Sequence, residues 1–272
     1  MTNIGKFYKM LFLVFGALIA LLGCNDMNLN SSNIDVENSG PAEIYEKGEL
    51  ELNKNKNERA AEYFGEIERL FPYSEWAKRG LIMQAFAYHK DRKYELSRGA
   101  ASRFVDFYPA DVDVAYAQYL IGLSYFDQIN DVGRDQGVTR NALEAFRVLF
   151  EQFPKSEYAE PAKSKFDLAF DHLASKEMEV GRYYLKDGHY SAAINRFRFV
   201  VEDFQTTSHN AEALHRLVEA YLSLGLTDEA QTAGAILSNK YGDSEWSKSS
   251  YVLLTNRGLY PGAKGNNWLA RV

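Results

Sequence analysis

The chain has 272 residues, 46% apolar and 25% charged, which excludes a disordered polypeptide and leaves enough apolar material for a sizeable core. A formal charge of −6 argues against gripping a nucleic-acid phosphate backbone, which calls for a basic face. With 14% aromatics and only 6 prolines, the composition favours a helical, well-packed fold.

The first predicted element spans residues 1–23. Lys6 and Lys9 precede an apolar run, "MLFLVFGALIALL", that ends at Gly23. A basic start, a short apolar stretch and a small final residue make a secretory signal peptide, and the run is short for a membrane span, which takes about 20 residues. "LLGC" at 21–24 resembles the bacterial lipobox, in which the cysteine is lipidated and becomes the new N-terminus. Cys24 is the single cysteine, and an exported chain gains little otherwise from one unpaired thiol. The plainer readings are a signal peptide with an incidental cysteine, or an uncleaved anchor. Several acyl chains, at about 0.8 kcal/mol for each buried CH₂, would hold Cys24 on a bilayer. Residues 24–40 then read as a lipidated, flexible tether rich in Asn and Ser, with a reach of roughly 20 Å as a coil.

From residue 41 a pattern recurs. Turn landmarks stand at Pro72, Pro109, Pro154, Gln205 and Gly242, each preceded by an aromatic: Phe71, Tyr108, Phe153, Phe204 and Tyr241. Upstream of each comes a small residue (Ala60, Ser97, Ala142, Ala193, Ala230) and then a large apolar one (Ile67, Phe104, Leu149, Val200, Leu237). Tyr88, Tyr125, Tyr184 and Tyr221 precede the small positions in the last four units, three residues after Ala85, Gly122, Gly181 and Val218. Gly/Ala–x–x–Tyr, then Ala, Phe and Pro is the signature of the tetratricopeptide repeat. The fold expected is all-α: a tetratricopeptide-repeat superhelix of about five helix–turn–helix units. Ala101 and Gly234 depart from the pattern by standing where an aromatic is expected.

The phrases "FPYSEW", "FPKSEY" and "YGDSEW" mark three junctions between units. In each, the turn residue stops one helix, and Ser74, Ser156 or Ser244 is placed to cap the next. Trp76, Tyr158 and Trp246 are expected to pack back across the junction. Pro161 conflicts with a helix starting directly after Ser156, which predicts a later or irregular start. Unequal spacing implies two insertions: one near 130–138 between the helices of the third unit, and one over 166–180 that is itself helix-like and predicts a lengthened helix. Residues 258–272 read as a tail in which Trp268 and Leu269 dock locally.

No catalytic or metal-binding motif is present. The five histidines form no HExxH or Cys–His pattern and read as surface or supporting residues. There is no GxSxG, P-loop or GxGxxG, so the sequence predicts a binding protein, not an enzyme, with no cofactor beyond a covalent lipid on Cys24.

Five stretches carry a resemblance to a known family: "RLFPYSEWAKRG" (69–80), "DVDVAYAQYLIGLSYFDQINDVGRDQ" (111–136), "FPKSEYAEPAKSK" (153–165), "LASKEMEVGRYYLKDGHYSAAINRF" (173–197) and "EALHRLVEAYLSLGLTDEA" (212–230). They resemble the BamD family, lipoproteins of the β-barrel assembly machinery of Gram-negative outer membranes. The likeness runs over roughly 40–255 and includes both insertions. It implies a lipid-anchored scaffold on the periplasmic face of the outer membrane that takes part in inserting β-barrel proteins. Repeats in 41–165 would receive unfolded outer-membrane protein precursors. Repeats in 166–257 would dock a POTRA domain of the barrel subunit BamA, and accessory Bam lipoproteins. "AAINR" at 192–196 matches the family segment whose arginine pairs with an acidic POTRA residue, which singles out Arg196 with its neighbour Asn195. Tyr73, Trp76 and Tyr88 are candidate precursor-binding aromatics, with core packing as the competing role. Arg134, Asp135 and Gln136, on the first insertion, are a candidate partner loop, with a local salt-bridged loop as the competing role. A different tetratricopeptide lipoprotein, one that organises an envelope or peptidoglycan-linked complex, is the alternative.

Overall fold

A computed structural model describes residues 36, 38–131, 136–263 and 268–271. The signal peptide, Cys24 and the tether up to 35 lie outside the described residues, as do Arg134 and Asp135. Among the described residues there are eleven α-helices and no strand. They run α1 (Pro41–Asn53), α2 (Asn57–Leu70), α3 (Glu75–Lys90), α4 (Tyr94–Phe107), α5 (Val114–Phe126), α6 (Gly137–Gln152), α7 (Ala159–Lys186), α8 (Tyr190–Asp203), α9 (Asn210–Ser223), α10 (Thr227–Lys240) and α11 (Glu245–Thr255), with a 3₁₀ turn at Trp268–Arg271. Helices α1 to α10 pair in chain order into the five expected hairpins, and α11 follows the last. The chain divides into two units, up to Gly80 and from Leu81, a boundary inside α3. The functional division expected at 165/166 falls within the unbroken helix α7.

The recurrent positions explain why the hairpins close. All five small residues and all five large ones have no exposed surface. Each large residue also takes part in ending its helix. Its carbonyl accepts the backbone N–H of the landmark aromatic four residues on, from Phe71 to Ile67, Tyr108 to Phe104, Phe153 to Leu149, Phe204 to Val200 and Tyr241 to Leu237, at 2.8–3.0 Å. One more residue type is conserved in shape between the helices. Phe146 lies on Gly122 and Phe197 on Gly181 so closely that a Cβ on either glycine would come within 2.5 Å of the ring. In the fifth hairpin the volumes are exchanged: Val218 is large, and Gly234 stands where the aromatic was expected. Leu254 of α11 fills the space over Gly234.

Turns within hairpins are equally regular. Asn55, Arg92, Gly188 and Gly225 all adopt positive φ, between 58° and 78°, in three-residue connections. The next residue's N–H returns to the carbonyl of Glu51, Tyr88, Tyr184 or Tyr221 at 2.9 Å in each case. Left-handed backbone costs a residue with a Cβ about 1–2 kcal/mol unless its side chain helps locally, so Arg92 is the strained member of the set. The third hairpin replaces this turn with residues 127–136, the first insertion.

The second insertion lengthens a helix, as expected. Helix α7 has 28 residues, about 42 Å at 1.5 Å per residue. Its buried residues Ala162, Ala169, Ala174, Met178 and Gly181 recur at helical spacing, so one apolar stripe continues through the added turns. Pro161 is its third residue, a place where the missing N–H had no intrahelical partner. The helix starts at Ala159, three residues past Ser156, as the helices after Asp111 and Thr207 do without a proline, and Ser156 is too early to cap it: its Oγ is buried without a partner. Ser74 and Ser244 do cap, accepting the backbone N–H of Ala77 and Ser247 at 3.1 Å. All three junction aromatics pack onto the first helix of the hairpin behind them. Trp76 meets Tyr45 at 5.2 Å between ring centroids, Tyr158 meets Tyr116 at 5.0 Å, and Trp246 meets His215 at 5.2 Å.

Candidate partner-docking surface

The lengthened helix shapes the surface on which Arg196 lies. Phe150 of α6, Phe166 and Phe170 of α7, and Phe204 just after α8 form a continuous run of ring contacts, at 5.7, 5.8 and 4.7 Å, and Phe199 packs on Phe204 at 5.4 Å. Beside this run, α6, α7 and α8 enclose a groove of about 300 Å³ with Leu143, Phe170, Leu173 and Phe199 in its wall. Phe199, 43% exposed, also borders a second depression that holds Tyr184, Asn195 and Arg196. Glu177 belongs to both.

Electrostatics distinguish this place from the acidic chain as a whole. Arg140, Arg147, Lys176 and Arg196 line the two depressions against the carboxylates Glu144 and Glu177. Arg147 donates to Glu144 at 2.8 Å and Arg196 to Glu177 at 2.9 Å. Arg196, singled out by the sequence as a contact for a partner's acidic residue, does not wait unpaired. Instead it holds a carboxylate of the same chain, with its side chain 45% exposed. The pair is exposed on the arginine side only, with Glu177 16% exposed, and Glu177 takes one of the five guanidinium N–H donors, which leaves Arg196 able to meet a second carboxylate. Asn195 is exposed next to it.

The other sequence candidates separate. Tyr73 is fully exposed, so core packing does not account for it. Trp76 is half-buried between Tyr45 and the guanidinium of Arg79, 5.2 Å from its ring, and packs as a junction residue. Tyr88 is half-buried in α3 and belongs to the second unit, whereas Tyr73 and Trp76 belong to the first. Gln136, the one described member of the candidate partner loop, packs inward. It is buried, and its Oε1 lies 3.2 Å from Nδ1 of His172 and 3.3 Å from the Thr139 hydroxyl, which pins the end of the loop to α7.

Sequence reading missed the buried polar groups. His89 reads from the sequence as a surface or supporting residue; it lies against Ser124 Oγ at 3.1 Å, and Ser124 donates to Ser97, which donates to the Ala85 carbonyl. His215 contacts Ser250 Oγ at 2.8 Å and Glu219 at 3.7 Å. Burial pushes both imidazoles below the ordinary histidine value, against the opposing pull of Asp127 on His89 and Glu219 on His215. Thirty-five residues separate each histidine from its serine. The one available signal was the recurrence of that separation.

Comparison with known proteins bears on this arrangement directly. A family model described as "Outer membrane lipoprotein", YfiO, matches residues 37–236. "Outer membrane protein assembly factor BamD" of Caulobacter vibrioides is 44% identical over 218 residues, 80% of this chain and 72% of that protein. The protein of the same name from Rickettsia prowazekii is 41% identical over 215 residues, 79% and 86% of the two chains. That of Neisseria meningitidis serogroup A is 30% identical over 247 residues, 87% and 92%. The matched span takes in all five first helices, the lengthened α7 and the Arg196 groove, and on that extent of agreement the chain belongs to the YfiO family of outer membrane lipoproteins.

Proposed function

We propose that the chain is a lipid-anchored scaffold of the β-barrel assembly machinery, held at the periplasmic face of the outer membrane through Cys24, and that it takes part in folding and inserting barrel proteins. The observation that carries the reading is the 44% identity to an outer membrane protein assembly factor across 80% of the chain. The chemistry is recognition, with no reaction assigned. Hairpins four and five dock an acidic surface of a BamA-type POTRA domain, with Arg196 and Asn195 at the contact, and accessory lipoproteins bind nearby. The basic rim of the groove and the half-exposed guanidinium of Arg196 support this. Unfolded precursors bind toward the N-terminal repeats, where Tyr73 offers an exposed ring.

Affinity capture on the tagged chain from detergent-solubilised membranes tests anchor and partner together. The unmodified chain is expected to sediment with membranes and bring down a POTRA-containing barrel protein. Cys24→Ala should release it from membranes while leaving the partner bound in detergent. Arg196→Glu should weaken association by on the order of 2–5 kcal/mol, the range for reversing an interfacial charge. Capture of the barrel protein at full yield by Arg196→Glu would remove Arg196 from the interface.

A further inference from the structure

The tail does more than end the chain. Gly258, at φ 73°, stops α11, and the backbone then turns back across α10. There Gln231 holds it twice, with its amide donating to the Tyr260 carbonyl at 2.8 Å and its own carbonyl accepting from Gly262 at 3.2 Å. The 3₁₀ turn brings Trp268 to α8 and α9. The indole N–H donates to Tyr221 Oη at 3.0 Å. The Arg198 guanidinium lies 4.7 Å from the centre of the indole ring and is fixed from its other side by Glu202 at 2.9 Å. Leu269 is 1% exposed and joins the core cluster that holds Phe197 and Tyr221.

These contacts are not needed to finish the array. Helix α11 already covers the last hairpin, with Leu254 in the space over Gly234. What the tail adds is a short linear segment held at three points: a phenol oxygen for an indole donor, a cation over an aromatic face, and a dry socket for one aliphatic side chain. That combination reads an aromatic residue followed by an aliphatic one.

We propose that the slot framed by Arg198 and Tyr221 is a recognition site for a short polypeptide segment carrying an aromatic–aliphatic pair, with the chain's own Trp268–Leu269 as its resident occupant. A partner segment of that chemistry enters by displacing the tail, so the tail sets the threshold for binding. This site is separate from the Arg196 surface and stands whether or not Arg196 meets a POTRA domain.

The probe is a synthetic peptide of residues 266–272, NNWLARV. The full chain, labelled with 5-fluorotryptophan, gives fluorine signals for Trp76, Trp246 and Trp268, and Trp268→Phe identifies the third by its loss. Added peptide is expected to move the Trp268 signal saturably and leave the other two in place. A dye-labelled copy should bind the Trp268→Ala chain at least ten-fold more tightly than the unmodified chain, because the competitor is weakened. Trp268→Phe keeps an aromatic ring and loses the N–H donor with part of the indole, a milder truncation than alanine, and it too must bind the peptide more tightly. A Trp268 signal indifferent to peptide, equal affinity in all three chains, or a signal that shifts with chain concentration alone (tails exchanged between copies) would each overturn the proposal.

Discussion

Hairpin four, α7 with α8, and hairpin five, α9 with α10, are consecutive repeats of one plan that make opposite use of their surfaces. Hairpin four has the longest helix of the molecule and borders an open groove, with Phe199 and Arg196 partly exposed beside it. Hairpin five is closed by α11 and by the tail, and it buries a histidine, a serine and a tyrosine among its polar contacts. The repeat positions are equally buried in both. Core packing therefore specifies the hairpin, while what is added to it, extra turns in one case and a covering helix in the other, decides how much of its surface is left available.

The largest expected effect tests how differently the two cores are filled. In hairpin four, a methyl group on Gly181 would meet the fully buried Phe197 ring at 2.5 Å. A ring cannot yield along its own plane, so Gly181→Ala should destabilise by about 1–3 kcal/mol, the usual cost of overpacking. In hairpin five, a methyl group on Gly234 would meet the tip of Leu254 at 2.6 Å. That tip can rotate away, and alanine gains about 0.8–1 kcal/mol over glycine inside a helix. Gly234→Ala should therefore lie within about 1 kcal/mol of the unmodified chain. Urea unfolding of the two variants checks the contrast, which is lost if both cost the same. Phe197→Leu in the Gly181→Ala background should recover part of the loss.

That packing rule was legible in the sequence because it rests on local periodicity. The small and large positions, the junction phrases and the lengthened α7 all follow from spacing and residue size, and each is found where spacing placed it. Gln136, His89 and Arg196 were not legible, for a common reason. Each is polar, and a polar side chain reads as solvated unless its partner is known. The partners, His172, Ser124 and Glu177, lie 19 to 36 residues away on other helices. The register that brings them together is set by hydrophobic stacking, which periodicity does not fix to within one side chain. Trp268 belongs with them: its indole was expected to dock locally, and it reaches 47 residues back to Tyr221.

Acid should separate the two hairpins next. His215 is buried beside Ser250, Trp246, Glu219 and Arg216, and burial lowers its folded pKa below the unfolded value of about 6.5. The unfolded chain then binds the proton more readily, so stability is full above about pH 6.5 and falls as the pH drops below it. One such proton gives a slope of at most about 1.4 kcal/mol per pH unit. His89 contributes with the same sign, also through burial. His215→Gln should flatten the acid limb of the stability curve measured between pH 7 and 5, leaving the share that belongs to His89. An acid limb unchanged in the variant would place the effect elsewhere.

The smallest effect concerns the two serines that open the helices following each junction. Ser244 and Ser156 occupy the same place in the same phrase, one before α11 against hairpin five and the other before α7 of hairpin four. Ser244 Oγ accepts the Ser247 N–H at 3.1 Å and donates to the Tyr241 carbonyl at 2.7 Å. Ser244→Ala removes a helix cap and should cost about 1 kcal/mol. Ser156 Oγ is buried with no partner, because α7 starts three residues past it, out of its reach. A buried hydroxyl without a partner opposes folding, so Ser156→Ala should be neutral or slightly stabilising. If thermal melts show that Ser156→Ala costs as much as Ser244→Ala, the serine is capping after all, and the late start of α7 is not what sets the two junctions apart.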